Sequence, residues 1–205
     1  MPLPYPHPAT LTDEALLAQC EATAGRGGGP GGQHRNKVST LINLTHRPTG
    51  QQAHAGERRS QSENKSVALR RLRLALAVHI RTPPPPDTLP PLTGKTREDF
   101  LAVLDASVTG AGKPSRQCSE LWRSRLGGTR AGSTGRIACN PDHHDYPALL
   151  AEAMDAIADH SWEPKPAAQR LGITPSQLIK LIKDHPPAMV EWNTQREKRG
   201  GHPLK

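Results

Sequence analysis

The chain has 205 residues, of which 18 are glycine and 21 are proline, and aromatic residues make up only 3%. This composition supports one small core and a second helical module, but it excludes a large enzyme barrel or a doubly wound sheet. No apolar run reaches the ~18 residues that span a bilayer, and the proline-rich start lacks the features of a signal peptide. We therefore expect a cytoplasmic protein with no membrane partner. The cysteines are odd in number and far apart, so we expect reduced thiols.

Positive charge is concentrated in one segment of the chain. Residues 26–81 contain eleven Lys and Arg side chains against two Glu, whereas the formal net charge of the whole chain is +8. A local excess of this kind is typical of a surface that binds phosphate groups. Charge alone also fits a solvated basic face that has no partner.

The first half of the chain predicts a small α+β unit. Thr12 is suited to cap a short helix through Leu17, and a glycine-rich run over 25–32 excludes regular structure there. Alternating β-branched and aliphatic residues then predict a strand over 38–45. A turn containing Pro and Gly leads into a second strand over 51–55, which completes a hairpin.

A basic helix is predicted from Ser62 to Ile80 by apolar residues at helical spacing, and we expect it to pack on the small sheet. The proline run that begins at Pro83 ends this helix. The sequence beyond it is less informative: residues 97–104 favour a helix, and residues 136–140 predict a short strand that could add to the first sheet.

The last part of the chain has the pattern of a helical module. A helix is predicted beyond Pro147, and residues 167–182 give a helix, a glycine break, a Thr cap and a second helix, which is a helix-turn-helix pattern. We expect Pro186 to stop the second helix and Met189 to begin a last one, with Trp192 in the core. The predicted division is a leader (1–9), a catalytic domain (10–82), a proline- and glycine-rich linker or insertion that is partly disordered (83–142), and a C-terminal helical module (143–205).

Three further motifs fit their usual functions poorly. Gly27-x-Gly29-x-x-Gly32 matches a dinucleotide fingerprint in letters, but a strand-like run follows it where a helix is required. Gly94-Lys95-Thr96 lacks the first glycine of a phosphate-binding loop. Asp142-His143-His144-Asp145 has metal-ligand residue types, but consecutive side chains converge poorly on one ion, so we favour a polar surface turn.

A more specific pattern comes from three segments taken together. Gly31-Gly32-Gln33-His34-x-Asn36-Lys37 precedes the first predicted strand, His46-x-Pro48-Thr49-Gly50 forms the turn, and Arg59-Ser60-Gln61-x-x-Asn64-Lys65-x-x-Ala68 begins the basic helix. In this order they closely resemble the catalytic GGQ domain of class I peptide chain release factors and of related ribosome-rescue hydrolases. The resemblance covers about Leu16 to Ala77. A flexible connector would explain the glycines but not the Gln, Arg and Asn residues around them.

The resemblance implies hydrolysis of the ester that joins a nascent peptide to tRNA, with water as the nucleophile. The sequence offers no Gly-x-Ser-x-Gly elbow for a protein nucleophile. Gly31 and Gly32 would let the backbone enter a narrow centre, and Gln33 would present its N–H to the developing oxyanion or to the leaving ribose oxygen while its side-chain amide helps to admit water. The resemblance also implies N5-methylation of Gln33 by a dedicated methyltransferase. No metal or organic cofactor is implied.

The other candidate site residues form two groups. Ser60, Gln61 and Asn64 are expected to order the start of the basic helix by hydrogen bonds. The second group is expected to contact phosphates of ribosomal RNA or of the tRNA acceptor end, and its members are Arg35, Asn36, Lys37, Arg59, Lys65, Arg70, Arg71 and Arg73.

Thirty residues precede Gly31, so we expect no codon-reading module upstream, and we find no recognisable codon-reading tripeptide downstream. The predicted function is therefore codon-independent hydrolysis of peptidyl-tRNA on stalled ribosomes by a monomeric protein. The alternative is a non-catalytic ribosome-, RNA- or DNA-binding module that uses the basic helix and the helix-turn-helix-like segment. There, Lys180 and Lys183 could contact phosphates and Gln177 is the only evident base-reading side chain. A purely structural helical cap is the third interpretation.

Overall fold

A computed structural model describes residues 3–25, 40–83, 118–127, 135–137 and 139–204 of the chain. Within these ranges the fold is α+β, as predicted, with small antiparallel sheets in the first half and several helices in the second. The helix predicted over 97–104 lies outside the described residues. None of the helices in the described ranges is both long and apolar enough to cross a bilayer.

The described first half contains one sheet, two α-helices and a short 3-10 helix (Pro8–Thr10). Its elements are α1 (Asp13–Ala18), β1 (Cys20–Gly25), β2 (Leu41–His46), β3 (Gln52–Ala55) and α2 (Gln61–His79). The strands form an antiparallel sheet in the order β1-β2-β3. Thr12 caps α1 as predicted, because its hydroxyl accepts the N–H of Ala15 at 3.3 Å. Both hairpin strands and the basic helix are also confirmed, within a few residues of their predicted bounds.

Strand β1 is absent from the sequence prediction. It pairs along its whole length with β2, from Cys20 opposite His46 to Gly25 opposite Leu41. It is an edge strand, and its four central residues are exposed. A strand that buries no face has no alternation of apolar and polar residues, so its pattern gives no signal.

The turn between β2 and β3 is organised around a buried histidine. His46 is 0% exposed, and its Nε2 lies 2.9 Å from Oε1 of Gln19 while its Nδ1 lies 2.7 Å from the hydroxyl of Thr49. Because the oxygen of Gln19 only accepts, Nε2 carries the ring proton and Nδ1 accepts from Thr49. Burial lowers the pKa of His46. Gly50 has φ +71°, which explains the glycine in this motif.

The second half of the chain is mainly helical. Its elements are α3 (Glu120–Arg125), β4 (Leu126–Gly127), β5 (Arg136–Ile137), α4 (Tyr146–Asp159), α5 (Pro164–Leu171), α6 (Pro175–Lys183) and α7 (Pro186–Glu197). The predicted strand over 136–140 is present as β5, but the expectation that it adds to the first sheet is wrong. It pairs with β4 in a separate two-stranded ribbon. Its partner is two residues long and directly follows a helix, so no strand pattern identifies it.

The helix-turn-helix pattern is confirmed in α5 and α6. Gly172 ends α5 with φ +71°, a left-handed conformation that favours glycine. Thr174 caps α6 by accepting the N–H of Gln177 at 3.3 Å. Pro186 marks the start of α7, earlier than the predicted Met189, because a helix accepts proline in its first turn. Trp192 is fully buried as expected, and its Nε1 donates to the carbonyl of Trp162 at 2.8 Å.

The two halves are joined where α2 packs against α4. Asp155 on α4 is 7% exposed and accepts from Arg81 at 3.1 Å, from the N–H of Thr82 at 3.2 Å and from its hydroxyl at 2.7 Å. Burial raises the pKa of Asp155 to about 6, against the opposing effect of Arg81. Buried apolar residues from both halves form one contiguous core.

The leader folds back onto the end of α2. Leu3 donates its N–H to the carbonyl of Arg81 at 3.1 Å. His7 is 3% exposed, and its Nδ1 accepts the N–H of Ala9 at 3.0 Å, so Nε2 carries the proton that faces the carbonyl of Ile80 at 3.3 Å. Burial lowers the pKa of His7 to about 4.

This lowered pKa predicts a stability that depends on pH. Between pH 6.5 and pH 4 the unfolded chain binds a proton at His7 and the folded chain does not, so the stability contribution of His7 is complete above pH 6.5 and is lost as pH falls toward 4. His7→Asn keeps an acceptor for Ala9 but does not titrate. We expect the free energy of unfolding of the wild type to fall by up to about 3 kcal/mol relative to this variant across that range. Urea denaturation at several pH values measures it, and a constant difference would contradict the prediction.

Candidate functional site

The segment with the GGQ triplet connects β1 and β2. Residues 26–39, which include Gly31, Gly32 and Gln33 together with Arg35, Asn36 and Lys37, lie outside the described residues. The two ends of the segment are described. Gly25 and Leu41 are register partners in the antiparallel sheet, so the chain leaves and re-enters the sheet at neighbouring positions. The structure therefore fixes where the loop begins and ends.

Asn64 connects this loop mouth to the start of α2. It is 0% exposed, and its Nδ2 donates to the carbonyl of Thr40 at 2.7 Å and to the carbonyl of Arg58 at 2.9 Å. Its Oδ1 accepts the N–H of Arg58 at 2.9 Å. One side chain thus satisfies three backbone groups from the end of the loop and from the link between β3 and α2.

Leu41 fills the space beside the loop mouth between two glycines. A β-carbon added at Gly56 would lie 3.0 Å from Cδ1 of Leu41, and one added at Gly25 would lie 3.3 Å from its Cδ2. Both distances are shorter than ordinary van der Waals contacts. The two glycines therefore allow the leucine that begins β2 to pack closely against both neighbouring strands.

Cationic side chains stand at the same end of α2. Arg58, Arg59 and Lys65 are exposed, and none of them forms an ion pair within the part of the chain that the structure describes. Ser60 makes no side-chain cap bond, and its hydroxyl lies 2.7 Å from that of Ser62. Gln61 is the first residue of α2 and is exposed. Asn64, also expected to order the helix start, makes bonds that link separate segments.

Arg70, Arg71 and Arg73 bond to other parts of the same chain. Arg70 donates to the carbonyls of Pro141 and Asp142, and Arg73 pairs with Asp13 at 2.7 Å while donating to the carbonyl of Ala9 at 2.9 Å. These arginines attach the second half and the leader to α2.

Arg71 attaches the sheet to α2 in the same way. It lies 2.7 Å from the carboxylate of Glu57 and donates to the carbonyl of His54 at 2.8 Å. Its hydrogen bond lowers the pKa of Glu57. The arginines in the middle of α2 thus hold neighbouring elements in place, whereas the cations near its start face solvent.

The polar turn before α4 brings together ligand atoms of His143, His144 and Asp145 within 4.8 Å of one another. The guanidinium of Arg125 bonds the carboxylate of Asp145 and lies 3.4 Å from Nε2 of His143. This positive group opposes the approach of a second cation to the same atoms. The contacts support the interpretation of this segment as a polar turn.

Thr40 and Arg58 are site residues that the sequence does not indicate. Both contribute backbone groups to Asn64, and a backbone group can belong to any residue type. The glycine at position 56, directly after β3, is a local signal of close packing at this point, but it does not identify the partner.

Comparison with known proteins identifies the same segment of the chain. The family described as "RF-1 domain" matches residues 17–84, a range that runs from α1 through the loop to the end of α2. Residues 17–84 are therefore similar to the RF-1 domain. Several similar curated proteins are peptide chain release factors, and each of these matches covers about a quarter of this chain.

Three relatives of the RF-1 domain illustrate the similarity. Peptide chain release factor 1 of Symbiobacterium thermophilum is 46% identical over 52 residues, or 25% of this chain and 15% of the relative. Peptide chain release factor PrfB1, chloroplastic, of Arabidopsis thaliana is 51% identical over 53 residues, or 26% and 12%. Peptide chain release factor 2 of Variovorax paradoxus is 46% identical over 54 residues, or 26% and 15%. The chain thus spans a small part of the length of these relatives.

The contacts of Asn64 predict a large effect of its replacement on stability. Asn64→Ala leaves the carbonyls of Thr40 and Arg58 without a donor and the N–H of Arg58 without an acceptor, so we expect a loss of about 3 kcal/mol in the free energy of unfolding. Urea denaturation measures this loss. Ser66→Ala is the matched control, because that exposed hydroxyl bonds, among the described residues, only the carbonyl of Ser62 one turn earlier in α2. Equal stability of the two variants would refute the role of Asn64.

Proposed function

We propose that the protein hydrolyses peptidyl-tRNA on stalled ribosomes without reading a codon. The observation that carries the proposal is the RF-1 domain with Gly31-Gly32-Gln33 in a loop whose ends meet at Gly25 and Leu41. A hydrolase that acts inside a ribosome needs a backbone segment that extends from a stably folded scaffold. The paired ends of β1 and β2 and the hydrogen bonds of Asn64 form such a scaffold.

The proposed chemistry uses water as the nucleophile. Attack of water on the ester carbonyl produces a tetrahedral intermediate whose oxygen becomes negative, and the backbone N–H of Gln33 would stabilise this oxygen or the leaving ribose oxygen. The Gln33 side-chain amide would help to admit the water. Gly31 and Gly32 would allow the close approach and the backbone conformations that this position requires.

The proposal assigns the cations of the domain to two tasks. Arg59 and Lys65 are exposed near the loop mouth, and we assign them the binding of RNA phosphates, together with Arg35 and Lys37 from the loop. The arginines in the middle of α2 are bonded within the chain, so they contribute to RNA binding indirectly, by holding the scaffold together.

The codon-independent step is supported by the sequence beyond the domain. No codon-reading tripeptide is recognisable there, and the described part folds as helices that pack on α2. Ribosomes stalled on truncated mRNA are therefore the proposed substrate, and the ribosome and its peptidyl-tRNA are the proposed partners.

Gly32→Ala tests the catalytic part of the proposal. The added β-carbon stands where the backbone must approach the ester, so we expect single-turnover release of labelled peptide from truncated-mRNA complexes to fall by at least about 100-fold. Gly127→Ala is the control, because its β-carbon would lie an ordinary 3.7 Å from the nearest atom, the carbonyl oxygen of Arg136. Release by the wild type only at a stop codon would contradict codon independence. No release from either complex, with ribosome binding intact, would favour a non-catalytic binding module.

Gln33→Ala separates the two proposed roles of the glutamine. The backbone N–H survives this change, so we expect a smaller loss of release than for Gly32→Ala in the same assay. An equally severe loss would assign the main role to the side chain. The proposal includes N5-methylation of Gln33, which the mass of the protein from its native host would show as one added methyl group.

The two classes of cation predict different defects. Replacing both Arg59 and Lys65 with Ala should raise the ribosome concentration for half-maximal release by about 10-fold at moderate salt, with a weaker dependence on salt. Arg73→Ala should instead lower the free energy of unfolding by about 1–2 kcal/mol, because it removes the bonds to Asp13 and Ala9. Ribosome titration and urea denaturation measure the two effects. A loss of stability in the Arg59 and Lys65 variant would reverse this assignment.

A further inference from the structure

A second cationic surface lies on the C-terminal module. The strand β5 and the helix α6 enclose a cavity of about 560 Å³, with Arg136 on the strand side and Gln177, Lys180 and Asp184 on the helix side. We call this cavity the ribbon groove. It belongs to the part of the chain outside the RF-1 domain match.

The walls of the ribbon groove are held by the helix-turn-helix packing. The N–H of Gly135 donates to the carbonyl of Gly172, in the turn between α5 and α6, at 2.9 Å. Leu178, Leu181 and Ile182 bury the inner face of α6, and the hydroxyl of Tyr146 donates to the carbonyl of Leu181 at 2.8 Å. The inner face is therefore fixed in the core, and Lys180 and Lys183 are left exposed.

The charges of the groove point to an anionic partner. Arg136 and Lys180 line the groove, are exposed and form no ion pair among the described residues, and Lys183, one turn further along α6, is likewise exposed and unpaired among them. By contrast, Arg125, Arg170 and Arg196 of the same half each bond a carboxylate of the chain. Asp184 is the opposing acid at the groove. Cations that face solvent on both walls of one cleft suit the regularly spaced phosphates of a nucleic acid.

Gln177 needs a hydrogen-bond donor, which a phosphate group does not supply. Its Oε1 is turned away from solvent and has no hydrogen-bond partner among the described residues, but the half-buried side chain lines the groove, so a rotation of the side chain would bring this acceptor to a bound molecule. A phosphate oxygen only accepts hydrogen bonds, so this amide oxygen needs a donor on the partner. The 2′-hydroxyl of ribose can donate, and DNA has no such group.

We propose that the ribbon groove binds the ribose–phosphate backbone of RNA. Arg136 and Lys180 contact phosphates from the two walls, and Gln177 accepts from a ribose hydroxyl. Contacts of this kind are independent of base sequence. The choice of ribosomal RNA as the natural partner rests on the proposed function, for which the groove would be a contact separate from the catalytic loop.

The test is binding of the full chain to a fluorescein-labelled RNA hairpin with a stem of about 20 base pairs, a length that exposes ribose hydroxyls along its minor groove. We expect Arg136→Ala and Lys180→Ala each to weaken binding about 5- to 10-fold and to reduce the salt slope by about one. Lys198→Ala, an exposed lysine at the end of α7, makes the same change in net charge away from the groove. Equal affinities of all three variants would overturn the proposal.

Removing the acid is expected to raise RNA affinity, a result that a variant that fails to fold would not give. Asp184→Asn removes the negative charge from the groove, so we expect RNA affinity to rise about 2- to 5-fold. Glu197→Gln, at the exposed end of α7, makes the same change in net charge at a distance and should leave affinity near the wild-type value. A gain for both variants would indicate attraction by the overall charge and would overturn the assignment to the groove.

A DNA hairpin of the same sequence tests the choice of RNA. We expect the wild type to bind the RNA at least about 5-fold more tightly, and Gln177→Leu to remove this preference while its DNA affinity stays unchanged. Equal binding of both hairpins by the wild type would overturn the proposal. These assays need no hydrolysis, so RNA binding that depends on the groove, without release from stalled ribosomes, would refute only the proposed function.

Discussion

The side-chain amide of Asn64 makes three hydrogen bonds, and the geometry of the loop mouth depends on them. Two carbonyls and one N–H meet at the fully buried Asn64, and an amide offers the two donors and one acceptor that these groups require. A carboxylate would supply no donor, and an aliphatic side chain would leave all three groups unsatisfied. The end of the loop and the start of α2 are therefore held by one neutral side chain.

Arginine has two different tasks along the basic helix. Near the loop mouth the cations are exposed, whereas in the middle of α2 they hold Asp13, Glu57 and the carbonyl of Pro141. These inner contacts join the leader, the sheet and the second half of the chain to one helix. A count of basic residues therefore overestimates the surface available to RNA, because guanidinium groups are also effective donors to backbone carbonyls within a fold.

The two halves of the chain are also joined by hydrogen bonds to a charged side chain. Asp155 is buried on α4 and accepts from Arg81 and Thr82, which follow α2 in the chain. Its pKa is raised by burial in spite of this pairing. A buried acid in such a position fixes the register between two packed helices, because it is satisfied only where the end of α2 meets it.

Much of the fold follows from local sequence patterns. The hairpin strands, the basic helix and the helix-turn-helix are predictable, since each has a clear period or a capping residue. The edge strand β1 and the ribbon strand β4 are not, because one buries no face and the other has only two residues. The candidate site is also predictable only in part. Resemblance identifies the residue types around the loop, but the backbone partners of Asn64 have no side-chain signature.

The pairing of Gly25 with Leu41 separates the scaffold from the segment that it supports. The ladder between β1 and β2 runs to these two residues, and Ile42 and Leu44 of β2 lie in the core beneath the sheet. The backbone hydrogen bonds that hold the two ends of the loop do not depend on the residue types between them, so the chemistry of the loop and the pairing of the strands can evolve separately. Under the proposed function, a gene copy that lost its glutamine would encode a stable protein that still occupies the ribosome, and so would compete with the active form.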